Sequence, residues 1–495
     1  MKPIYTFAAF TVLSLVAAPS AQAVFVNPRG TGQVLIYPYF NAQAGNTTLI
    51  TLRNDSHEGK AVRVRWAGSH RGDSELSFNL YISREDVWVG AIFSMPSATG
   101  TIAGLITDDH SCTYPRIRNS TTLPQLPDGR RYIPLVASAD GTDGESVREG
   151  YVEVIEMATF KIDSPTYYSS FITLPENSDC SPLLSQWSAN YWGTDPKRDL
   201  LNPTGGLSGS EAIVNPAAGT IFSIPAVALE DFRADPLDKP RGTLNSLVIH
   251  TKPEDARPAL LDAITDPAAQ IVSANVIADG RTLTATYPVS QAIDAVSAVL
   301  MATSVSNDFE EASSAGATTS LVLTYPTRRF YANPALVGAQ PLAPFKELIP
   351  NPIQALAHRT VDFLASNRDQ TMTSTQGADD LDPQLVTLET GTAVVTLGLR
   401  AVADPLLGSA VAGYFQDLEG FDAGAIRLLF ARNPNVRTRP SREGWEFVGQ
   451  PVIGTRLINF INGQLPGGVL ANYSNALPMT SALHCRQEAV DNCEQ

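Results

Sequence analysis

The sequence predicts a mainly β protein made of antiparallel sheets, and three observations carry that prediction. Hydrophobic residues make up 43% of the chain and charged residues only 17%, a balance that favours a packed interior over disorder. Between residues 24 and 169, apolar and polar side chains alternate with a period of two in several short segments. Turn-forming residues separate these segments at intervals of roughly ten residues, which is typical of an immunoglobulin-like antiparallel sandwich.

The clearest alternating segment is 62–66. Trp66 and two valines lie on one face of this predicted strand, and Arg63 and Arg65 lie on the other face. The other segments of this type are 33–37, 46–52, 76–82, 87–93 and 151–156. Because aromatic residues at strand spacing usually belong to a core, we assign Trp66 and Trp88 to the interior of the sandwich.

The chain is predicted to fold as three consecutive units. These are a β-sandwich domain over 24–184, a mixed β domain over 185–345, and a β-rich region over 346–495. The second unit contains a helix near 290–304, for which Ser290 is a suitable N-cap. The residues that share one face of this helix are Ile293, Val296, Leu300 and Ser304.

Two hairpins are predicted from turn chemistry. Segments 211–215 and 220–224 flank a short turn, and Asn462 with Gly463 forms a type I′ signal after the strand 457–461. Residues 351–364 fit either a helix or a strand centred on 361–363. Both interpretations stay open at this stage.

The first 23 residues predict export. Lys2 provides a positive start, residues 4–18 form an apolar run, and residues 21–23 present the small side chains that a signal peptidase requires. The run is shorter than the ~20 residues of a membrane-spanning helix. We therefore expect a signal peptide cleaved after Ala23, and a protein that is periplasmic, on the cell surface or secreted.

The charge of the chain excludes some partners. The formal net charge is −15, and removal of Lys2 with the signal peptide makes it −15 − 1 = −16. Such an acidic surface repels phosphate backbones and anionic membranes, so nucleic acid is not an expected partner. No later apolar run reaches the ~18 residues of a transmembrane segment. The expected partners are other envelope or extracellular proteins or polymers, including further copies of this chain.

Four cysteines follow the predicted cleavage site: Cys112, Cys180, Cys485 and Cys493. In an exported protein, an even and sparse set of cysteines indicates two disulfides, with three connectivities open. Proximity in sequence favours Cys112–Cys180 and Cys485–Cys493. A metal site is the weaker interpretation, because no Cys-x-x-Cys spacing exists and only His484 lies beside a cysteine.

No catalytic residue is predicted. Gly72, Asp73 and Ser74 resemble the start of an esterase block, but they lead into a strand rather than into the helix that a nucleophile elbow requires. The six histidines are isolated in sequence, so no spacing selects a catalytic triad. Glu153 and Glu156 have an odd separation in one strand and therefore do not form a natural acid pair.

No cofactor is predicted, and a structural calcium is the alternative that one acidic loop allows. Its candidate ligands are Asp140, Asp143 and Glu145, because carboxylates are the groups that calcium prefers. Segment 417–422 is a weaker candidate. Neither segment fits an EF-hand loop, so a solvated turn is the preferred interpretation of both.

Several blocks of sequence resemble a family of exported Gram-negative bacterial proteins that has no established biochemical function. The blocks include GQVLIYPYF at 32–40, REGYVEVIEM at 148–157, VSAVLM at 296–301, GQPVIG at 449–454 and VLANY at 469–473. The resemblance covers most of the chain after the signal peptide. It implies one integrated β-rich architecture in the cell envelope or outside the cell, and it brings no catalytic residues.

These observations predict an exported structural or adhesion-type protein without catalytic activity. Exposed sheet edges would be its means of assembly. One alternative is a protein that binds an extracellular polysaccharide or another polymer. A second alternative is a secreted hydrolase whose site is assembled only in space.

Overall fold

The computed structural model confirms the mainly β class, since strands account for 49% of the protein and helices for 9%. The residues that the structure describes are 22–69, 74–97, 100–135, 147–166, 180–188, 190–236, 238–312, 314, 316–349, 359–369, 371, 384–388, 391–397, 406–409, 413–416, 418, 420–431, 436–462 and 471–487. The predicted signal peptide therefore lies almost entirely outside the described residues.

Fourteen strands form a two-sheet sandwich in the N-terminal half. They are β1 (Phe25–Val26), β2 (Val34–Asn41), β3 (Thr47–Asn54), β4 (Lys60–Gly68), β5 (Ser74–Ile82), β6 (Val87–Ser97), β7 (Gly100–Ile106), β8 (Cys112–Tyr114), β9 (Tyr132–Leu135), β10 (Glu149–Phe160), β11 (Leu200–Leu201), β12 (Leu207–Asn215), β13 (Thr220–Pro225) and β14 (Val227–Glu230). Sheet 1 has the order β1-β14-β2-β10-β4-β5-β8, with β11 beside β10, and sheet 2 has the order β13-β12-β3-β6-β7-β9.

The core of this sandwich follows the predicted alternation. Trp66 and Trp88 are fully buried, as predicted, and both contact the ring of Phe78. The sandwich extends beyond residue 184, because β11 to β14 complete both sheets. The hairpin predicted at 211–215 and 220–224 is confirmed as the antiparallel pair β12–β13. The immunoglobulin-like type of this sandwich stays a prediction.

Helices and a hairpin lie between the two halves of the chain. They are α1 (Ser181–Ser188), 3-10 turns at Leu260–Asp262 and Val289–Gln291, β15 (Ile271–Ala278), β16 (Arg281–Pro288), α2 (Ala292–Leu300), β17 (Met301–Ala302), α3 (Arg329–Ala332) and α4 (Pro334–Val337). The helix predicted over 290–304 is shorter than expected, because Gln291 is its N-cap and it ends at Leu300. Ser304 belongs instead to a strand paired with Leu429, so sheet pairing overrides the helical spacing there.

A second sandwich occupies the C-terminal half. Its strands, with three short neighbours, are β18 (Ser304–Glu310), β19 (Ala317–Thr324), β20 (Arg359–Asn367), β21 (Gln384–Leu388), β22 (Thr392–Leu397), β23 (Gly413–Gln416), β24 (Ala423–Leu429), β25 (Trp445–Val448), β26 (Gln450–Pro451), β27 (Ile453–Asn462), β28 (Ala471–Pro478), β29 (Thr480–Ala482) and β30 (His484–Gln487). Sheet 3 has the order β21-β20-β24-β18-β29, and sheet 4 has the order β23-β22-β19-β27-β28. Both sheets contain strands from either side of residue 345.

Strand pairing tests two local predictions in this half. Residues 361–363 form the strand β20 rather than a helix. β27 and β28 pair as a hairpin, but Asn462 lies opposite Ala471. A two-residue turn at Asn462 and Gly463 is therefore wrong, since residues 463–470 lie between the strands.

One apolar cluster joins the two sandwiches. It runs from Ile36 and Ile155 on the outer face of sheet 1, through Val296 of α2, to Leu321 and Phe363 of sheets 4 and 3. The outer face of sheet 1 is therefore covered by the rest of the chain instead of by water. That coverage encloses the charged residues of β4 and positions the candidate site.

Candidate functional site

A charged row crosses three neighbouring strands of sheet 1. Arg65 of β4 lies opposite Glu153 of β10 on one side and opposite Ser77 of β5 on the other. Cross-strand partners on one face have Cβ atoms about 5 Å apart, so these three side chains are direct neighbours. They lie on the outer face, where a strand pattern alone predicts solvent.

The row is completed by an arginine from the second half of the chain. Nη2 of Arg329, in α3, donates hydrogen bonds to both carboxylate oxygens of Glu153, at 3.1 and 2.8 Å. Nη1 of Arg65 lies 3.7 Å from the same carboxylate. The side chain of Glu153 is fully buried, and those of Arg65 and Arg329 are 5% and 7% exposed. Two buried positive charges therefore share one buried negative charge.

The environment of this row affects the pKa of Arg65. Burial, which disfavours the charged form, lowers the pKa of Arg65, and the neighbouring charge of Arg329 acts in the same direction. Glu153 opposes both effects. The Oγ atom of Ser77 is buried and makes no hydrogen bond to any described residue. The row therefore places the guanidinium of Arg65, which lies 3.7 Å from the nearest carboxylate oxygen of Glu153, beside a hydroxyl group that makes no hydrogen bond to a described residue.

Arg63 holds the loop that forms one rim of the site. Its guanidinium donates to the main-chain carbonyls of Thr251, Lys252 and Asp255, at 3.0, 2.7 and 3.0 Å. Nη2 of Arg65 donates to the carbonyl of Ala256 at 3.0 Å. Burial, and next the charge of Arg65, lower the pKa of Arg63 to about 10. The two arginines of β4 thus fix the backbone of residues 251–256 over sheet 1.

A cavity of about 630 Å³ lies between sheet 1, this loop and the α3–α4 segment. Eight of its thirteen lining residues are apolar. The lining residues are Arg65, Leu76, Ser77, Pro115, Pro253, Glu254, Asp255, Ala256, Ala259, Leu261, Arg329, Phe330 and Leu336. We call this cavity the arginine cleft. Its size and its mostly apolar lining with a few polar groups are typical of small-molecule sites.

The acidic residues of the arginine cleft are at its rim. Glu254 and Asp255 are exposed, and the carboxylate of Asp255 accepts a hydrogen bond from the backbone N–H of Lys252 at 3.1 Å. Water and salt screen exposed charges far more than buried ones. The buried arginines therefore dominate the field that a group on the floor of the cleft experiences.

Sequence reasoning did not assign a binding role to Arg65, Glu153, Ser77 or Arg329. One signal was present in the sequence. Arg63 and Arg65 follow each other on the same face of the strand, and Val64 between them points to the opposite face. The chain separates Glu153 from Arg329 by most of the middle region, so their ion pair has no sequence signature. Glu156 lies apart from Glu153 and pairs with Lys60 at 3.0 Å, and the two carboxylates form no acid pair.

Other residues singled out from the sequence have separate locations. Cys112 and Cys180 form a disulfide, one of the two pairings that proximity favours. Cys485 is also disulfide-bonded, and Cys493 lies outside the described residues. The calcium candidates Asp140, Asp143 and Glu145 are outside them as well, together with Gly72 and Asp73 and with residues 417 and 419.

The four histidines that the structure describes do not assemble into a triad around the arginine cleft. His57 faces Glu85 at the surface, and His484 faces Asp279. His250 is buried in an aromatic cluster, while His110 borders a small cavity beside Cys180. His70 and His358 lie outside the described residues.

His250 belongs to a chain of buried hydrogen bonds near the Cys112–Cys180 disulfide. Nε1 of Trp187 donates to the hydroxyl oxygen of Tyr81 at 2.7 Å, and this hydroxyl lies 3.0 Å from Nε2 of His250. Because Trp187 can only donate, Tyr81 donates to Nε2, and Nδ1–H donates to the carbonyl of Pro196 at 3.1 Å. Burial lowers the pKa of His250 to about 3. The imidazole is therefore a neutral structural group.

This arrangement predicts acid sensitivity. The folded-state pKa of about 3 lies below the ordinary value of 6.5, so only the unfolded chain takes up this proton as the pH falls from 6.5 to 3. We expect His250 to cost about 1.4 kcal/mol of unfolding free energy per pH unit in that window. Chemical denaturation should show that the free energy of unfolding falls less steeply between pH 6.5 and pH 3 in His250→Asn than in the wild type. His57→Asn, at a side chain 87% exposed, is the matched control and should retain the wild-type slope.

Among the residues that the structure describes, no helix is both long and apolar enough to cross a bilayer. Within the same ranges, no three His, Cys, Asp or Glu side chains are grouped to hold a metal ion.

Fold and site together define a mainly β protein of two sandwiches joined by a common core, with a cleft that has apolar walls and two buried arginines. No protein-family model, curated protein or solved structure matches the chain.

Proposed function

We propose that this chain is an exported, non-catalytic binding protein and that the arginine cleft is its ligand site. The observation that carries the proposal is a cavity of about 630 Å³ with apolar walls and two buried arginines on its floor. Arg65 donates to the carbonyl of Ala256 and lies 3.7 Å from the carboxylate of Glu153, so its planar set of donors is also suited to an anion on the floor of the cleft.

Two features support export to the envelope or the outside of the cell. The Cys112–Cys180 disulfide is typical of oxidising compartments. The N-terminal residues have the pattern of a signal peptide cleaved after Ala23. Fractionation of native cells, with immunodetection in periplasm, outer surface and medium, tests this part. Detection only in the cytoplasm would contradict it.

The polar groups of the cleft favour binding over catalysis. Glu153 is held by two hydrogen bonds from Arg329, and His57, His250 and His484 have carboxylate, tyrosine or main-chain partners rather than a serine. A hydrolase needs a nucleophile or an acid pair aimed at a substrate. The cleft's own hydroxyl, that of Ser77, makes no hydrogen bond to a base among the described residues.

Native mass spectrometry of protein purified from its own cells tests the binding function. We expect a bound small molecule in a 1:1 complex, and its loss from Leu336→Glu, which places a charge on an apolar wall at a side chain 59% exposed. A set of chromogenic esters and glycosides should show no turnover. If the wild type turned over one of these substrates and Leu336→Glu abolished the turnover, the cleft would be a catalytic site and the proposed non-catalytic function would be wrong.

A second candidate function, assembly with further copies of this chain, is favoured by the outer face of sheet 2. Leu49, Val87 and Val89 are 37–41% exposed on the adjacent strands β3 and β6, and Ile221 is 54% exposed on β13, which β12 separates from β3. Exposed apolar patches of this kind mark contact surfaces. Sedimentation at rising concentration should show self-association that Val89→Lys with Ile221→Lys abolishes, whereas Ile277→Lys on the separate β15 strand leaves it unchanged. A wild-type protein that stays monomeric at high concentration would rule this function out.

A further inference from the structure

We infer that the ligand of the arginine cleft is an amphipathic monocarboxylate, with its carboxylate on Arg65 and its apolar chain against the outer walls. The inference rests on the proposed binding function and names its ligand class. It follows from the charge of the floor, from the chemistry of the walls and from the position of the exposed leucines.

The floor presents a guanidinium group to a ligand. Arg65 and Arg329 both line the cavity, and the carboxylate of Glu153 lies near both of them. Arg329 already makes a two-oxygen contact with Glu153, whereas Arg65 lies 3.7 Å from that carboxylate. The guanidinium of Arg65, with its planar set of donors, suits a ligand carboxylate, and the unused Ser77 hydroxyl beside it supplies a further donor. One guanidinium group and one hydroxyl group together match the two oxygens of a single carboxylate.

The walls fit a hydrocarbon chain. The lining between floor and mouth is built from Leu76, Pro115, Ala259 and Phe330. At the outer end, Leu261 and Leu336 are 42% and 59% exposed although both line the cavity. Hydroxyl-rich ligands such as sugars would lose hydrogen bonds to water against these walls. An alkyl or aryl chain would instead remove both leucines from water.

The rim sets a condition on binding. The exposed Glu254 and Asp255 repel an approaching anion, and this repulsion is strongest at low salt. Glu254→Gln with Asp255→Asn should therefore strengthen carboxylate binding about two- to fivefold at low ionic strength and have little effect at high ionic strength.

Isothermal titration calorimetry with decanoate, 1-decanol and acetate tests the inference on the full chain. We expect saturable 1:1 binding of decanoate, at least tenfold weaker binding of 1-decanol, which lacks the charge, and no binding of acetate, which lacks the chain. Leu336→Glu should weaken decanoate binding at least tenfold, and Ile277→Glu, at a side chain 73% exposed in β15, should leave it unchanged. Ser77→Ala should weaken it by a smaller factor, since one hydrogen bond is lost.

The outcomes separate this inference from the proposed function. Equal binding of decanoate and 1-decanol, both lost in Leu336→Glu, would contradict a carboxylate on Arg65. The cleft would still be a binding site. A co-purifying ligand of another chemical class, with no binding of decanoate, would do the same. No binding of decanoate and no co-purifying molecule would overturn both. Decanoate binding that survives Leu336→Glu would place the ligand elsewhere and overturn the inference.

Discussion

Glu153→Gln is expected to lower the free energy of unfolding by about 3–5 kcal/mol, because it leaves the buried guanidinium groups of Arg65 and Arg329 without their shared carboxylate. Equilibrium unfolding in urea measures this loss. The matched control is Glu310→Gln, since Nη2 of Arg368 donates to both oxygens of Glu310 at the same 3.1 and 2.8 Å. Arg368 is 72% exposed, so this pair should contribute no more than about 1 kcal/mol.

The comparison between these two variants isolates burial as the cause. Identical contacts with unequal losses would show that the low dielectric around the cleft amplifies the charge imbalance. Glu153→Gln should also bind decanoate more tightly than the wild type, because the neutral side chain no longer repels the carboxylate of the ligand. Losses of similar size in Glu153→Gln and Glu310→Gln would contradict the buried cluster.

The double replacement Cys112→Ala with Cys180→Ala is expected to lower the free energy of unfolding by about 4 kcal/mol. The two cysteines are 68 residues apart in sequence, and a cross-link that closes so long a loop removes much of the entropy of the unfolded chain. It also ties α1, which carries Trp187, to the sheet that carries Tyr81. Urea unfolding without reductant measures the effect.

The wild type under reductant provides the comparison for the double variant. The reduced wild type should lose at least as much free energy of unfolding as the double variant, because reduction also breaks the disulfide of Cys485. A double variant as stable as the oxidised wild type would mean that packing of the aromatic cluster, and not the cross-link, holds α1 in place.

Sequence patterns were sufficient to predict the strands and the hairpin whose contacts are between residues close in sequence. The alternation around Trp66 and Trp88 predicts strands with a shared core, and both side chains are buried. The turn residues between 215 and 220 predict the β12–β13 hairpin. The helix near residue 290 is detected but overextended, because the pairing of Ser304 with Leu429 depends on a strand far along the chain.

The arginine cleft depends on contacts between segments that are distant in sequence. Arg63 and Arg65 form the polar face of a strand, which by pattern alone points to solvent. In the folded protein, the 251–256 loop and α3 cover that face, and Glu153 receives Arg329 from a distant segment. The sequence by itself determined a mainly β chain, because alternation is a local property, and it favoured a disulfide between Cys112 and Cys180 among three possible connectivities. Only the tertiary structure created the arginine cleft, because burial of a charge and closure of a cavity depend on which distant segments pack together.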